Sequence, residues 1–167
     1  MYRVLFVCLG NICRSPLAEG VFAHTVAQAG LSGSIDADSA GTAAYHVLEP
    51  PHRESQRVAQ RYGVDISQLR GRQIARGDFE TFDLILAMDR QNHRDLLALE
   101  RSGQHHHKVR LFSEFIADAP GPDVPDPYYG GVDGFEEVYR LAASGAQGLL
   151  TFVQQQLASR GQQALRG

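Results

Sequence analysis

Cys8 and Arg14 are separated by five residues in the run Val7-Cys8-Leu9-Gly10-Asn11-Ile12-Cys13-Arg14-Ser15-Pro16. A thiol and a guanidinium at that spacing can face the same anion when the intervening chain curls into a nest of inward-pointing N–H groups. Gly10 permits a positive φ, and Asn11 tolerates one better than most residues. Ser15-Pro16 has the form of a helix start, Ser as N-cap and Pro at the first helical position. The free N–H groups and the positive end of the helix dipole would then converge on the loop. Leu9, Gly10, Asn11, Ile12, Cys13 and Ser15 would form the cradle, and Arg14 would hold two phosphate oxygens at once. Helix N-termini and nearby arginines favour a thiolate over a thiol. Cys8 is therefore the expected nucleophile, with the Ser15 hydroxyl as a hydrogen-bond donor to it. Its in-line attack on a phosphoryl group would give a phosphocysteine, with donors already aimed at the equatorial oxygens. A cysteine at a strand end is more often a small buried apolar residue. Cys13 fits that description, although a reversible disulfide with Cys8 would also shield the nucleophile from overoxidation.

A departing aryl or alkyl oxygen needs a proton, and a positioned acid accelerates its departure by about 10²–10⁴-fold. Asp118, Asp123 and Asp126 all lie in the segment 113–132, which carries Pro120, Pro122, Pro125 and Pro127. Spacing does not choose among the three. Asp126 is the best placed, because Tyr128 and Tyr129 follow it and aromatic rings could flank a substrate ring. Asp126-Pro127 is equally a common turn starter. Four prolines stiffen a long connection by reducing the freedom of the unfolded chain, which predicts a semi-rigid functional loop.

These groups need a scaffold. Short apolar runs at Arg3–Val7, Ser34–Ala40, Asp83–Met88 and Lys108–Phe112 read as strands, the first and third nearly continuous, as in strands covered on both faces. Between them, Leu17, Val21, Phe22, Val26 and Ala29 repeat at helical spacing. A second helix is predicted over His52–Tyr62, with Val58, Ala59 and Tyr62 inward, and a third over Arg90–Glu100 with Asp89 as N-cap. The last and longest follows the stripe Phe135, Val138, Leu141, Ala142, Leu149, Phe152, Val153 and Leu157. Gly145 and Gly148 weaken its middle by about 1 kcal/mol each. Alternating strands and helices predict an α/β fold: a single-domain three-layer sandwich with a parallel sheet and helices on both faces. Such folds bind ligands beyond the carboxyl ends of the strands, where the Cys8 loop lies. One domain over 1–160 is expected, with a frayed tail over 161–167.

The chain has 167 residues, a formal net charge of −3 and 43% hydrophobic residues. That composition predicts a globular protein and lacks the basic face of a nucleic-acid binder. No run is long enough for a membrane span or a signal peptide, so a cytoplasmic protein with no membrane or nucleic-acid partner is expected, most simply a monomer. Two cysteines do not make a secreted disulfide scaffold. The run His105-His106-His107 has no accompanying ligand cluster and is expected to be a solvated loop, so no metal and no cofactor are implied.

The segment 7–16 resembles the low-molecular-weight protein tyrosine phosphatases very closely. Asp38-Ser39-Ala40-Gly41-Thr42, Arg72-Gln73-Ile74, Phe82-Asp83-Leu84-Ile85 through Met88-Asp89, and Asp126-Pro127-Tyr128-Tyr129 are similar to segments of that family, in the same order. The resemblance implies a four-stranded parallel twisted sheet, Cys8 as nucleophile, Arg14 as phosphate clamp and Asp126 as general acid and then base. It implies that Asn11, Ser15 and Ser39 hold the loop in shape, that Asp89 supports the site, and that Tyr45, Tyr128 and Tyr129 wall a deep slot. Depth favours phosphotyrosine-containing proteins as substrates. The stretch 45–53 departs from the family pattern, chiefly at Leu48 and His52.

Three other functions are weighed against this one. A thiol-linked arsenate reductase needs further cysteines downstream, and none follows Cys13. A phosphocarrier that passes phosphate on from a cysteine has little use for Arg14 or an acid loop. A phosphotyrosine-binding module without activity would be expected to lack the nucleophile or the acid.

Overall fold

The computed structural model describes residues 1–128 and 130–167. Four strands, β1 (Tyr2–Cys8), β2 (Ile35–Gly41), β3 (Leu84–Ala87) and β4 (Val109–Leu111), form one parallel sheet in the order β2-β1-β3-β4. Helices α1 (Arg14–Gln28), α2 (Arg53–Arg61), α3 (Asp78–Thr81), α4 (Arg90–Leu99) and α5 (Val132–Arg166) complete it. All four strands fall where the apolar runs place them, within two residues at each end.

The strands alternate between two cores. Val4 and Phe6 of β1 join Leu17, Val21 and Phe22 of α1 and Phe135, Val138, Leu141 and Leu149 of α5 on one face. Leu5 and Val7 join Phe79 of α3 and Leu96 of α4 on the other. β1 is therefore buried on both sides, which explains its unbroken apolar sequence. Phe6 anchors the larger core through edge-to-face contacts with Phe22 and Phe112, at ring-centroid distances of 5.8 and 5.5 Å.

Gly145 and Gly148, which weaken α5 as an isolated helix, are required by what it packs against. A Cβ at Gly145 would lie 2.3 Å from the Phe112 ring, and one at Gly148 would lie 2.2 Å from the Phe115 carbonyl oxygen. Both aromatics belong to a 3₁₀ turn over Phe112–Phe115 that follows β4. Close approach of that turn outweighs the propensity cost. α5 runs on through Gly161 to Arg166, with the side chains of 161–167 exposed. Tyr62 is not inward. It is half exposed and stacks on Tyr139 with ring centroids 4.0 Å apart, while Val58 and Ala59 are buried as expected. No helix among the described residues is long and apolar enough to cross a membrane.

Candidate active site

β1 ends at Cys8 between β2 and β3, the strands that continue the sheet in opposite directions. The loop 9–13 leaves from that point and runs into α1. The positive φ falls on Asn11, at 57°, and not on Gly10. The missing side chain at Gly10 instead leaves room for His46, whose Cδ2 would lie 3.1 Å from a Cβ there. Gly41, at the end of β2, has a similar reason: a Cβ would lie 2.8 Å from the Leu9 carbonyl oxygen.

Ser15 is not the helix cap. α1 begins at Arg14, and its N-cap Cys13 offers no side-chain bond. The Ser15 hydroxyl is occupied elsewhere. It accepts from Asn11 Nδ2 at 2.8 Å and lies 3.0 Å from Cys8 Sγ, to which its own proton is free to point. The Asn11 backbone N–H also donates to Cys8 Sγ, at 3.3 Å. The Asn11 amide is saturated: Nδ2 donates to Ser39 Oγ at 2.9 Å, and Oδ1 accepts from the Arg72 backbone N–H at 2.9 Å. The Ser39 hydroxyl donates in turn to Glu19 Oε1 at 2.6 Å. A left-handed asparagine is thus held by hydrogen bonds from three separate segments.

Arg14 is 3% exposed. Its NH1 donates to Asp89 Oδ2 at 2.7 Å and to the Val124 carbonyl oxygen at 3.0 Å, while NH2 lies 3.5 Å from Asp126 Oδ2. Burial alone would weaken its hold on the proton, but Cys8, Asp89 and Asp126 more than compensate and leave it firmly charged. Asp89 accepts two hydrogen bonds. Oδ2 holds Arg14, and Oδ1 caps α4 by accepting from Asn92 N–H at 2.7 Å.

The three candidate acids separate cleanly. Asp123 is paired with Arg90, and Asp118 is exposed, away from the cavity lining. Asp126 lines the cavity, with Oδ1 accepting from the Tyr128 backbone N–H at 3.0 Å. That cavity, of about 170 Å³, is bounded by Cys8, Leu9, Gly10, Ile12, Cys13, Arg14, Tyr45, His46, Asp126 and Tyr128. Of the expected site residues, Asn11, Ser15, Ser39 and Asp89 stand behind it, and Tyr129 lies outside the described residues. Both cysteines are free thiols, and burial pushes Cys13 up to about 12.

Three contributors were not legible in advance. His46 lines the cavity, and its Nδ1 lies 2.6 Å from Glu49 Oε2; nothing in the spacing around Tyr45 marks it. Arg72 acts through its backbone, which no side-chain pattern reveals. The only sequence signal for Glu19 is an acid set among the apolar positions Ala18, Val21 and Phe22. Burial pushes its carboxyl up to about 7, against the opposing pull of the Ser39 hydrogen bond.

The family profile described as "Low molecular weight phosphotyrosine protein phosphatase" matches residues 3–161. The low molecular weight protein-tyrosine-phosphatase YfkJ of Bacillus subtilis is 42% identical, over 93% of this chain and 98% of its own. Its crystal structure superposes with a TM-score of 0.87. The crystal structure of a protein tyrosine phosphatase from Entamoeba histolytica superposes with a TM-score of 0.89 at 34% identity, covering 93% of this chain and 98% of that one. The human low molecular weight phosphotyrosine protein phosphatase is 41% identical over 82% of this chain and 86% of its own. Taken with the cavity that joins Cys8, Arg14 and Asp126, these matches place the chain in the low molecular weight phosphotyrosine protein phosphatase family, whose members are cysteine-based hydrolases.

Proposed function

We propose that this chain hydrolyses phosphotyrosine, and small aryl phosphates, through a phosphocysteine on Cys8. The supporting observation is the convergence of the Cys8 thiol, the Arg14 guanidinium and the Asp126 carboxyl on one cavity with tyrosine walls. The Cys8 thiolate attacks phosphorus while the bond to the aryl oxygen breaks. Asp126 gives its proton to that oxygen, so a neutral phenol departs. The Asp126 carboxylate then takes a proton from the water that attacks phosphorus. The P–S bond breaks, phosphate leaves and the thiolate is restored, stabilised by the Ser15 hydroxyl and the Asn11 N–H. Arg14 and the N–H groups of the loop meet the equatorial oxygens throughout. Asn11 and Ser39 hold the loop, and Asp89 orients Arg14. Tyr45 and Tyr128 on the cavity wall favour a ring between them over the shorter phosphoserine. The substrates are phosphotyrosine-containing proteins of the cytoplasm, where reducing conditions keep Cys8 a thiol.

The test is 4-nitrophenyl phosphate hydrolysis in EDTA at mildly acidic pH, comparing the native chain with Cys8→Ser. Turnover in the native chain and at least a roughly 10⁴-fold loss in the variant are expected. A native chain that is inactive under reducing conditions would overturn the proposal.

A further inference from the structure

His52, which with Leu48 departs from the family pattern, sits where three parts of the site meet. Its backbone N–H donates to the Ile12 carbonyl oxygen of the phosphate loop at 2.7 Å. Its ring Nδ1 accepts from the Glu54 backbone N–H at 3.0 Å and so caps α2, which requires that nitrogen to be unprotonated. The same ring stacks on Phe135 of α5, with centroids 4.8 Å apart and planes at 29°. Its other neighbour is the Tyr128 ring, met edge-on at 6.0 Å and 76°. His46 approaches Tyr128 too, at 6.2 Å. The Tyr128 backbone N–H, in turn, holds Asp126 Oδ1. His52 itself does not line the cavity.

We infer that His52 is a positioning residue for the acid: its ring, wedged between Phe135 and Tyr128, sets where Tyr128 stands and thereby where the Asp126 carboxyl is held. This rests on the assignment of Asp126 as proton donor. The ring does two separable jobs. Its Nδ1 caps a helix, and its faces and edges place Tyr128. A cap alone would stabilise α2 without touching the reaction. A placed Tyr128 matters to the step in which the leaving oxygen takes a proton. That step discriminates between substrates: phenolate is a poor leaving group that needs the acid, whereas 4-nitrophenolate leaves without much help.

Two variants divide these jobs. His52→Asn keeps a capping acceptor and removes the ring. His52→Phe keeps an aromatic ring and removes the cap. The readout is kcat/KM for phenyl phosphate and for 4-nitrophenyl phosphate, together with the thermal midpoint of each variant. For His52→Asn we expect about a tenfold fall with phenyl phosphate, a fall of less than about threefold with 4-nitrophenyl phosphate, and little change in midpoint. His52→Phe should keep more of the phenyl phosphate activity than His52→Asn while losing more thermal stability. Equal falls on both substrates, or none, in a folded His52→Asn would overturn the inference, as would a His52→Phe variant no better than His52→Asn on phenyl phosphate. Inactivity of the native chain towards both substrates would instead overturn the assignment of the acid and the function together.

Discussion

Two loops build the cavity, and they are made by opposite physical means. The phosphate loop is exposed at Leu9 but buried from Asn11 onward. Asn11 is 3% exposed and hydrogen-bonded to Ser15, Ser39 and Arg72, and the loop's far end is fixed by the 3%-exposed Arg14. The acid loop is anchored at Val124, which is buried and whose N–H donates to the Met88 carbonyl oxygen at 2.8 Å. Two residues later Asp126 is 41% exposed, held by one backbone N–H and a 3.5 Å approach to Arg14. The contrast fits what the proposed mechanism would ask of each loop. An oxyanion is stabilised by donors that need not reorganise, so its loop must be rigid. An acid that first gives a proton and then takes one from water must be reached by both substrate and solvent.

The largest expected effect breaks the rigid side. Arg14→Lys keeps the charge but loses the planar fork that holds Asp89 and Val124 and, in the proposed reaction, would grip the phosphate. We expect kcat on 4-nitrophenyl phosphate to fall by about 10³-fold, with weaker inhibition by inorganic phosphate. A fall of less than about tenfold would mean that the charge alone matters. Asp126→Asn attacks the open side. Its kcat/KM should fall about 10²-fold on phenyl phosphate and much less on 4-nitrophenyl phosphate. Its unfolding free energy should change by less than about 0.5 kcal/mol, as for an exposed loop residue. A large loss of stability in Asp126→Asn would erase the distinction between the loops.

Asn11→Ala sharpens the comparison. It puts an alanine at φ 57° and leaves the partners in Ser15, Ser39 and Arg72 without their bonds, which should cost about 2–3 kcal/mol. Asn11→Gly loses the same bonds without the backbone strain and should be the more stable of the two by about 1 kcal/mol. Chemical denaturation of both variants would show it. Equal stabilities would mean that the left-handed conformation carries no strain here.

The two loops were also unequally legible in the sequence. The phosphate loop announces itself, because a thiol, a glycine, an asparagine and an arginine at fixed spacing have few other uses together. What it hid was the hydrogen-bond assignment. Ser15-Pro16 looks like a helix cap; a bond between its hydroxyl and Cys8 is expected from the loop, and only the fold adds Asn11 as its second partner. The strands were legible because β1 and β3 are covered on both faces and so cannot alternate. In the acid loop, spacing does not choose among three aspartates; Asp126 is preferred for the tyrosines that follow it, and the fold pairs Asp123 with Arg90 and puts Asp126 on the cavity wall. His46, His52, Glu19 and Arg72 act through contacts between segments far apart in the chain, and no local pattern encodes those. Gly145 and Gly148 misled for the same reason, since their role lies in Phe112 and Phe115.

The smallest effect concerns the support behind the rigid loop. Glu19 carries a carboxyl that burial pushes from 4.5 up to about 7, with Asp38 and Asp36 adding repulsion and Ser39 and Arg72 opposing the shift. The folded chain therefore binds this proton more tightly than the unfolded chain. The stability that this proton contributes is complete below about pH 4.5 and is lost as pH rises through about 7. Glu19→Gln removes the titration but keeps an acceptor for the Ser39 hydroxyl. Relative to the native chain, the variant should gain about 1–2 kcal/mol of unfolding free energy between pH 5 and pH 8, read from guanidinium titrations at each pH. A difference between the two chains that is the same at both pH values would mean that Glu19 titrates as it does in water. The expected result would show that the support behind the phosphate loop weakens as the buried Glu19 carboxyl takes on charge.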